Sequence, residues 1–527
     1  MANSNQADQK IIINVSNTQY DIVKSVCQKL GFELSTNDQD QNWDLCWQDG
    51  SLAPEKFVQM EINQKINHFP GMYTLSRKNT LAQNLNTMQK AFPEEYNFFP
   101  ETWILPKDHF DLKNRAKFNV LIVKPESSCQ GKGILLVKRL EDLPEKCVAQ
   151  RYIMRPFLID GLKFDLRLYV LMTGCDPLRI FLHQEGLVRF ATEEYKDPRN
   201  SLDELFVHLT NYAVNKTNPK FQIEPNENFL GHKRRFTWLL SYLDSKGYNV
   251  SALWREISSI IIKTIISGVP LISHTYKSIH SNDVTNSMCF EILGFDIILD
   301  SDLKPWLLEV NHTPSFTTDS EVDTIVKSLV IEHTLTLLNL STQNKLILNK
   351  TKQNRLKDRT SLKYKDLKKW KEKQIAKWRF KRDLFEQQQE TGFIKIFPDY
   401  KPSFARILEV ALQIWNKNTV SKVLILEEQE EVNIKISSKK RGLLPKLNKK
   451  LEALSRSKLA TQETKKKFEN FIFKPLPLPK RLPSRVDLKP KKCQSMTGYF
   501  LPTRTISFEG EEAPEENKSF MKWKLIK

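Results

Sequence analysis

Glycine is scarce, with 16 residues in a chain of 527, too few for a collagen-like repeat. Cysteine is scarcer still. The seven, at Cys27, Cys46, Cys129, Cys147, Cys175, Cys289 and Cys493, include no Cys-x-x-Cys pair, which argues against a thiolate zinc cage and a disulfide framework and predicts reduced thiols. No basic and apolar leader opens the chain: Met1 to Lys10 is polar and carries Asp8, so a cytosolic protein is expected. A membrane-length apolar run is also missing. The best candidate, Ile257 to Ser273, is interrupted by Lys263 and Pro270 and is too short to cross a bilayer, so it reads as a buried helix. What remains is a chain 40% hydrophobic, long enough for two or three domains around a large core.

Acidic residues thin out toward the C-terminus. Residues 1–344 hold 36 basic and 41 acidic residues, whereas Lys345 to Arg382 holds 16 basic and 3 acidic, and Lys439 to Lys492 holds 18 basic and 4 acidic. The net charge of +19 therefore sits on two C-terminal windows attached to a mildly acidic body, which points to a polyanionic partner. Nucleic acid, a membrane and an acidic protein all meet that description.

From Ile11 to Leu340 apolar runs alternate with amphipathic stretches. Strands are predicted at Val120 to Val123, Leu135 to Lys138, Leu166 to Met172, Phe290 to Leu299 and Trp306 to Val310. Helices are predicted at Phe236 to Asp244, Leu253 to Ile266 and Asp323 to Leu338. Between Asn344 and Glu390 there is no proline or glycine, and a long basic helix is expected. Prolines gather from Lys474 to Pro483, where extended or disordered chain is expected.

Chemistry concentrates in three segments. In Cys289 to His312, two apolar runs flank Asp300-Ser-Asp-Leu-Lys304 and read as a β-hairpin. A four-residue loop, Ser301 to Lys304, pairs Asp300 with Pro305 and sets Asp296 opposite Glu309, with Asn311 on the same face. Opposed carboxylates need compensation, either by a divalent cation with oxygen ligands or by basic neighbours. Val120-Leu-Ile-Val-Lys124-Pro-Glu-Ser-Ser-Cys-Gln130-Gly131-Lys-Gly133 is a strand followed by a glycine-containing loop. It suits phosphate beside Lys124, or an ordinary hairpin turn, and lacks the Walker spacing. Lys163, Asp165 and Arg167 alternate with Phe164 and Leu166, so the charges share one strand face. That face is either a solvated edge or a floor for phosphate and metal.

Taken in order, these segments resemble the ATP-grasp ligases of the tubulin tyrosine ligase-like family. The resemblance runs from about Asn67 to Leu340 and includes Asn67-His-Phe-Pro-Gly71, Arg77-Lys78, Thr102-Trp-Ile-Leu-Pro106, Lys163-Phe-Asp-Leu-Arg167, Glu185-Gly-Leu-Val-Arg-Phe-Ala-Thr192, His208-Leu-Thr-Asn-Tyr212 and Leu308-Glu-Val-Asn-His-Thr-Pro-Ser-Phe316. The hairpin and the following Thr-Thr-Asp-Ser320 look closest to the polyglutamylase branch. The resemblance implies an α+β fold: an ATP-grasp ligase core over 1–340, a basic helical microtubule-binding segment over 341–400, and a proline-containing, mostly disordered tail over 401–527.

It also implies roles. Lys124, Gln130, Gly131, Lys163, Phe164 and Asp165 would lie with ATP, Gln150, Arg151, Tyr152 and Ile153 would form the hinge beside the adenine, and Thr210 and Asn211 would complete the nucleotide site. Asp296, Glu309 and Asn311 would hold Mg2+, and Arg167, Arg189 and Glu309 would be catalytic. Arg189 would clamp a carboxylate of free L-glutamate, joined by Tyr212 and Lys233, although Lys233 also reads as part of a solvated basic cluster with Arg234 and Arg235. Where relatives often read Thr-Asn-Tyr-Ser, this chain has Thr210-Asn-Tyr-Ala213 and lacks that hydroxyl. The implied activity is polyglutamylation of tubulin tails on microtubules, in the cytoplasm and cytoskeleton, with the cilium, axoneme or basal body by analogy. No membrane partner is expected. Glycylase or tyrosine ligase activity is the nearest enzymatic alternative, and non-catalytic microtubule or nucleic-acid binding is the alternative of another class.

Overall fold

Near the N-terminus, four short strands form: β1 (Ile12–Asn17), β2 (Glu33–Ser35), β3 (Leu45–Gln48) and β4 (Lys65–Ile66). They pair in parallel in the order β2-β1-β3-β4. Parallel neighbours need crossovers, supplied by α1 (Asp21–Lys29), which buries Val23, Val26 and Cys27, and α2 (Pro54–Gln59). The computed structural model describes residues 10–50, 52, 54–61, 63–115, 120–125, 131–222, 231–281, 283, 285–342, 364–398 and 402–419.

A second sheet follows α3 (Tyr73–Ser76) and α4 (Lys78–Ala91). Its strands β5 (Thr102–Leu105), β6 (Leu121–Lys124), β7 (Leu135–Val137) and β8 (Cys147–Arg151) are antiparallel in the order β5-β8-β6-β7, with α5 (His109–Arg115) after β5. The expected strand pair on either side of the glycine loop is the β6–β7 hairpin.

The third sheet carries the chemistry. It contains β9 (Leu158–Ile159), β10 (Leu162–Cys175), β11 (Leu178–Glu194), β12 (Lys233–Arg235), β13 (Glu291–Leu299), β14 (Pro305–Asn311) and β15 (Phe393–Phe397). The order is β12-β11-β10-β13-β14, with β15 on β11 and β9 on β10. Helices α6 (Leu205–His208), α7 (Tyr212–Asn215), α8 (Phe236–Ser245), α9 (Val250–Ile279), α10 (Glu321–Leu337) and α11 (Tyr364–Gln388) are also described, with a further helix at 402–419. Both the helix and strand content agree with the α+β expectation.

Two details of the expectation need correction. The buried helix expected at Ile257 to Ser273 is present, but it is neither short nor broken at Pro270: it lies within α9, which is long and apolar enough to span a membrane by length and composition. As expected it is packed in the main core, with Ile257, Ile261, Ile265 and Ile266 fully buried. Lys263 is tolerated there because its Nζ donates to the Glu95 carbonyl at 2.7 Å. The core also does not end at Leu340, nor does a tail begin at 401. Strand β15 extends the third sheet along β11, and the helix at 402–419 buries Phe404, Ile407 and Ala411 in the same core. Phe404, Ile407 and Ala411 recur at helical spacing and form a short apolar stripe. The expected window Lys439 to Lys492, and residues 343–363 of the expected basic helix, lie outside the described residues.

Candidate functional site

Directly opposed residues in a sheet share a face, as do residues two apart on one strand. Register therefore sets the charged groups of the third sheet in two adjoining rows. Asp165 on β10 pairs with Arg189 on β11, which pairs with Lys233 on β12. One pleat along, Arg167 on β10 pairs with Asp296 on β13, and Asp296 with Glu309 on β14. Lys163 and Asp165 are buried and Arg167 is half-buried, so the solvated-edge alternative fails. Phe164 points to the opposite face and packs against Phe190 and Phe157, so its side chain stands apart from the charges beside it.

The Asp296–Glu309 opposition holds, although the expected turn does not. Leu299, not Asp300, pairs with Pro305, which leaves a five-residue loop, Asp300–Lys304. A register shift between Asp296 and Ile297 then places an extra residue, Leu308, in β14 and restores the pairing. The carbonyl of Leu308 accepts from Lys124 Nζ at 3.3 Å.

Asp296 is 2% exposed and lies between two guanidinium groups. Arg167 donates Nε to Oδ1 at 2.6 Å and Nη2 to Oδ2 at 3.0 Å, while Arg189 Nη2 approaches Oδ2 at 2.9 Å. Burial alone would raise its pKa, but these two positive charges hold the carboxyl well below the usual range. Arg189 also grips Asp165 with two hydrogen bonds, of 2.9 and 2.5 Å. The donors expected to clamp a free carboxylate thus engage two buried aspartates in this structure. Gly294 makes room for the arrangement, because a Cβ there would fall 3.1 Å from Arg167 Cδ.

Glu309 has the opposite electrostatics. Burial, then the charge of Asp296, pushes its pKa up, against the pull of Lys78 and Lys124. Lys78 Nζ lies 3.9 Å from Oε2, a neighbour quoted within the Arg77-Lys78 motif but given no role by sequence reasoning. Asn311 Nδ2 stands 3.2 Å from Glu309 Oε1 and 3.5 Å from Asp296 Oδ2. Among the described residues no group of three or more His, Cys, Asp or Glu side chains suits a metal. Two opposed carboxylates plus an amide nevertheless fit a hard cation such as Mg2+, which takes few protein ligands and completes its shell with water and phosphate oxygens. The raised Glu309 shows the local need for positive charge. Rotation of the Asn311 amide would turn its oxygen toward the ion.

Two lysines face the space beside these carboxylates. Lys124, at the end of β6, donates to Gln150 Oε1 at 2.8 Å. Lys163 donates to Tyr152 Oη at 2.8 Å and to the His208 carbonyl at 2.7 Å. Burial lowers Lys124 to about 8 and Lys163 to about 7, so each would gain from a polyanion. A chain from Tyr152 through the His208 ring to Ser201 fixes the acceptors of Lys163. His208 was visible only as a motif letter, and Ser201 gave no signal. Gly131, at φ +80°, closes against α7: a Cβ would meet Val214 at 3.0 Å and Asn211 at 3.2 Å. Thr210 is buried beside it, while Gln130 lies outside the described residues. Tyr152 is buried, Ile153 is half-buried, and Arg151 turns outward to pair with Glu101.

The solvated cluster expected around Lys233 is absent. Lys233 pairs with buried Asp323 and lies 4.0 Å from the centre of the Tyr212 ring. Arg234 stacks on Phe190 and Trp238, and Arg235 pairs with Glu185. Asn67 and His68 belong to a structural join: His68 bonds to Glu291 of β13 and to the Gln48 carbonyl of β3. The described cysteines, Cys27, Cys46, Cys147, Cys175 and Cys289, are buried, and no disulfide joins them to one another.

Comparison with known proteins adds to this geometry. The family model described as "Tubulin-tyrosine ligase family" matches residues 56–348. Over 82% of its length the chain is 44% identical to a probable beta-tubulin polyglutamylase of Tetrahymena thermophila, covering 37% of that protein. It is 47% identical over 65% of its length to human tubulin polyglutamylase TTLL6, covering 39% of it, and 42% identical over 64% to human tubulin polyglutamylase TTLL7, again covering 39%. The chain thus spans less than half the length of these curated relatives.

Proposed function

We propose that this chain, which belongs to the tubulin-tyrosine ligase family, is an ATP- and Mg2+-dependent polyglutamylase that joins free L-glutamate to glutamate side chains in tubulin tails. The observation that carries the reading is the opposition of Asp296 and Glu309, with two buried lysines and two arginines around the same space. The names of the relatives support glutamate as the amino acid and tubulin as the acceptor.

In the reaction, a γ-carboxylate oxygen of the acceptor attacks the ATP γ-phosphorus, and ADP leaves. The amine of glutamate then attacks the resulting acyl phosphate, phosphate leaves, and an amide forms. Lys124 and Lys163 orient and neutralise the phosphates. Arg167 holds Asp296 in place, and Arg189 sits where it can exchange an aspartate oxygen for a substrate carboxylate. Asp296, Glu309 and Asn311 would hold Mg2+, whose charge favours phosphoryl transfer when bound. The basic helix α11 supplies the contact to acidic tubulin tails. A cytoplasmic, microtubule-associated site of action, in cilia, axonemes or basal bodies, belongs to the same proposal.

The test uses purified protein, microtubules, ATP and each radiolabelled amino acid in turn. Glutamate alone should enter tubulin, and Glu309→Gln should lower incorporation about a hundredfold or more with little change in melting temperature. Glycine or tyrosine incorporation, or a fully active Glu309→Gln enzyme, would overturn the proposal.

A further inference from the structure

At the β12 edge of the charged face lies a cluster that the reaction above leaves without a task. Asp323, in the first turn of α10, has a side chain 1% exposed. It carries two lysines at once: Lys233 of β12 on Oδ2, and Lys327, one turn along α10, with Nζ 2.8 Å from Oδ1. The helix N-cap fixes its place, since Ser320 donates its hydroxyl to Oδ2 at 2.8 Å and accepts the Asp323 N–H at 3.2 Å. Lys327 Nζ is held further by the Thr317 carbonyl at 2.6 Å.

A carboxylate shared by two ammonium groups compensates neither fully. Lys233 therefore keeps positive potential where it meets the substrate face, directly opposite Arg189. Apart from the Arg167–Asp296 pair, the buried and half-buried Arg189, Lys233 and Lys327 stand against Asp165 and Asp323 at this β11–β12 end, which leaves one positive charge in excess here. A second observation comes from the next pleat. The Tyr169 hydroxyl is fully buried, has no hydrogen-bond partner among the described residues, and feels the charges of Arg167, Asp323, Arg189 and Asp296. Buried hydroxyls without partners are costly. A zwitterionic amino acid with an ionised side-chain carboxylate brings one net negative charge and additional acceptors. Glycine and tyrosine bring no net charge.

We infer that Asp323 is a positioning residue that sets Lys233 in the amino-acid pocket, and that Lys327, by sharing Asp323, makes this end of the pocket selective for an amino acid with a side-chain carboxylate. The inference deepens the ligase reading and rests on it.

Steady-state kinetics of the full chain on microtubules test it. Lys327→Met frees Asp323 to neutralise Lys233. It should raise the KM for glutamate about tenfold, the scale of one charge-assisted hydrogen bond, while kcat and the KM for ATP stay within about twofold. Lys327→Arg should restore most of the affinity. Asp323→Asn should raise the same KM, and in a Lys233→Gln background neither substitution should raise it further, because both act through Lys233. Competition by glutarate, a dicarboxylate without the amine, should weaken in parallel. A purely structural staple would instead lower melting temperature and kcat with glutamate KM unchanged, and that result overturns the inference alone. A wild-type enzyme that fails to use glutamate overturns the ligase reading and the inference together.

Discussion

Lys163 is held in β10 between the Tyr152 hydroxyl and the His208 carbonyl, both neutral acceptors. Burial lowers its pKa to about 7, against the raising effect of Asp165. Because this lies below the ordinary 10.5, the charged lysine costs stability in the folded state. That cost is fully present below pH 7 and is relieved as pH rises from about 7 toward 10.5. A bound triphosphate reverses the preference by favouring the ammonium form. ATP binding at pH 8 should therefore take up protons, visible as a binding enthalpy that changes with the ionisation enthalpy of the buffer. Lys163→Arg, always charged, should reduce the uptake while nucleotide still binds. Enthalpies identical across buffers for the wild type would refute the assignment. Strand alternation alone placed Lys163, Asp165 and Arg167 on one face. It did not show that Asp165 and Asp296 already occupy the donors of Arg189, since these partners come from strands 24 and 107 residues away along the chain.

Among the elements, the β13–β14 hairpin shows how local inference can reach the right contact by the wrong register. The turn residues suggested a four-residue loop. The chain instead forms a five-residue loop and inserts Leu308 in β14, which brings Glu309 back opposite Asp296. A second element-level feature joins α11 to β11. Arg179 is 2% exposed; its Nη1 lies 2.7 Å from Asp383 Oδ1, and its Nη2 bonds to Glu386. Lys395 of β15 also approaches Glu386, at 3.4 Å. The Glu386 side chain is 5% exposed and that of Asp383 is 43%, so water screens only the second pair effectively. Glu386→Gln should cost about 3 kcal/mol by leaving a buried guanidinium short of charge, whereas Asp383→Asn should cost about 1 kcal/mol or less. Chemical denaturation distinguishes the two. Equal losses would show that Arg179 does not anchor α11 through its buried partner.

Across the whole molecule, charge is segregated. The body up to residue 344 is mildly acidic, and the following window is strongly basic. Helix α11 carries part of that window, with Lys373, Lys377, Arg379 and Lys381 exposed. Reversing these four charges should weaken microtubule co-sedimentation by about tenfold or more near 0.1 M salt and flatten its salt dependence, since exposed ionic contacts are screened within about 10 Å there. ATP binding should be unchanged. Unaltered binding, or an equal effect on microtubules stripped of their acidic tails, would place tail recognition elsewhere. The sequence by itself determined the opposed hairpin carboxylates, the shared strand face of Lys163, Asp165 and Arg167, and the helix over the described part of the basic window. Each depends on residues near in sequence, where period and spacing act directly, while the resemblance to a ligase family rests on motifs kept in order from Asn67 to Leu340. Only the tertiary structure decided that Arg167 and Arg189 share Asp296, that Asp323 couples Lys233 to Lys327, and that the core takes in β15 and the helix at 402–419. Those contacts join residues far apart along the chain, and strand order, burial and register select them together.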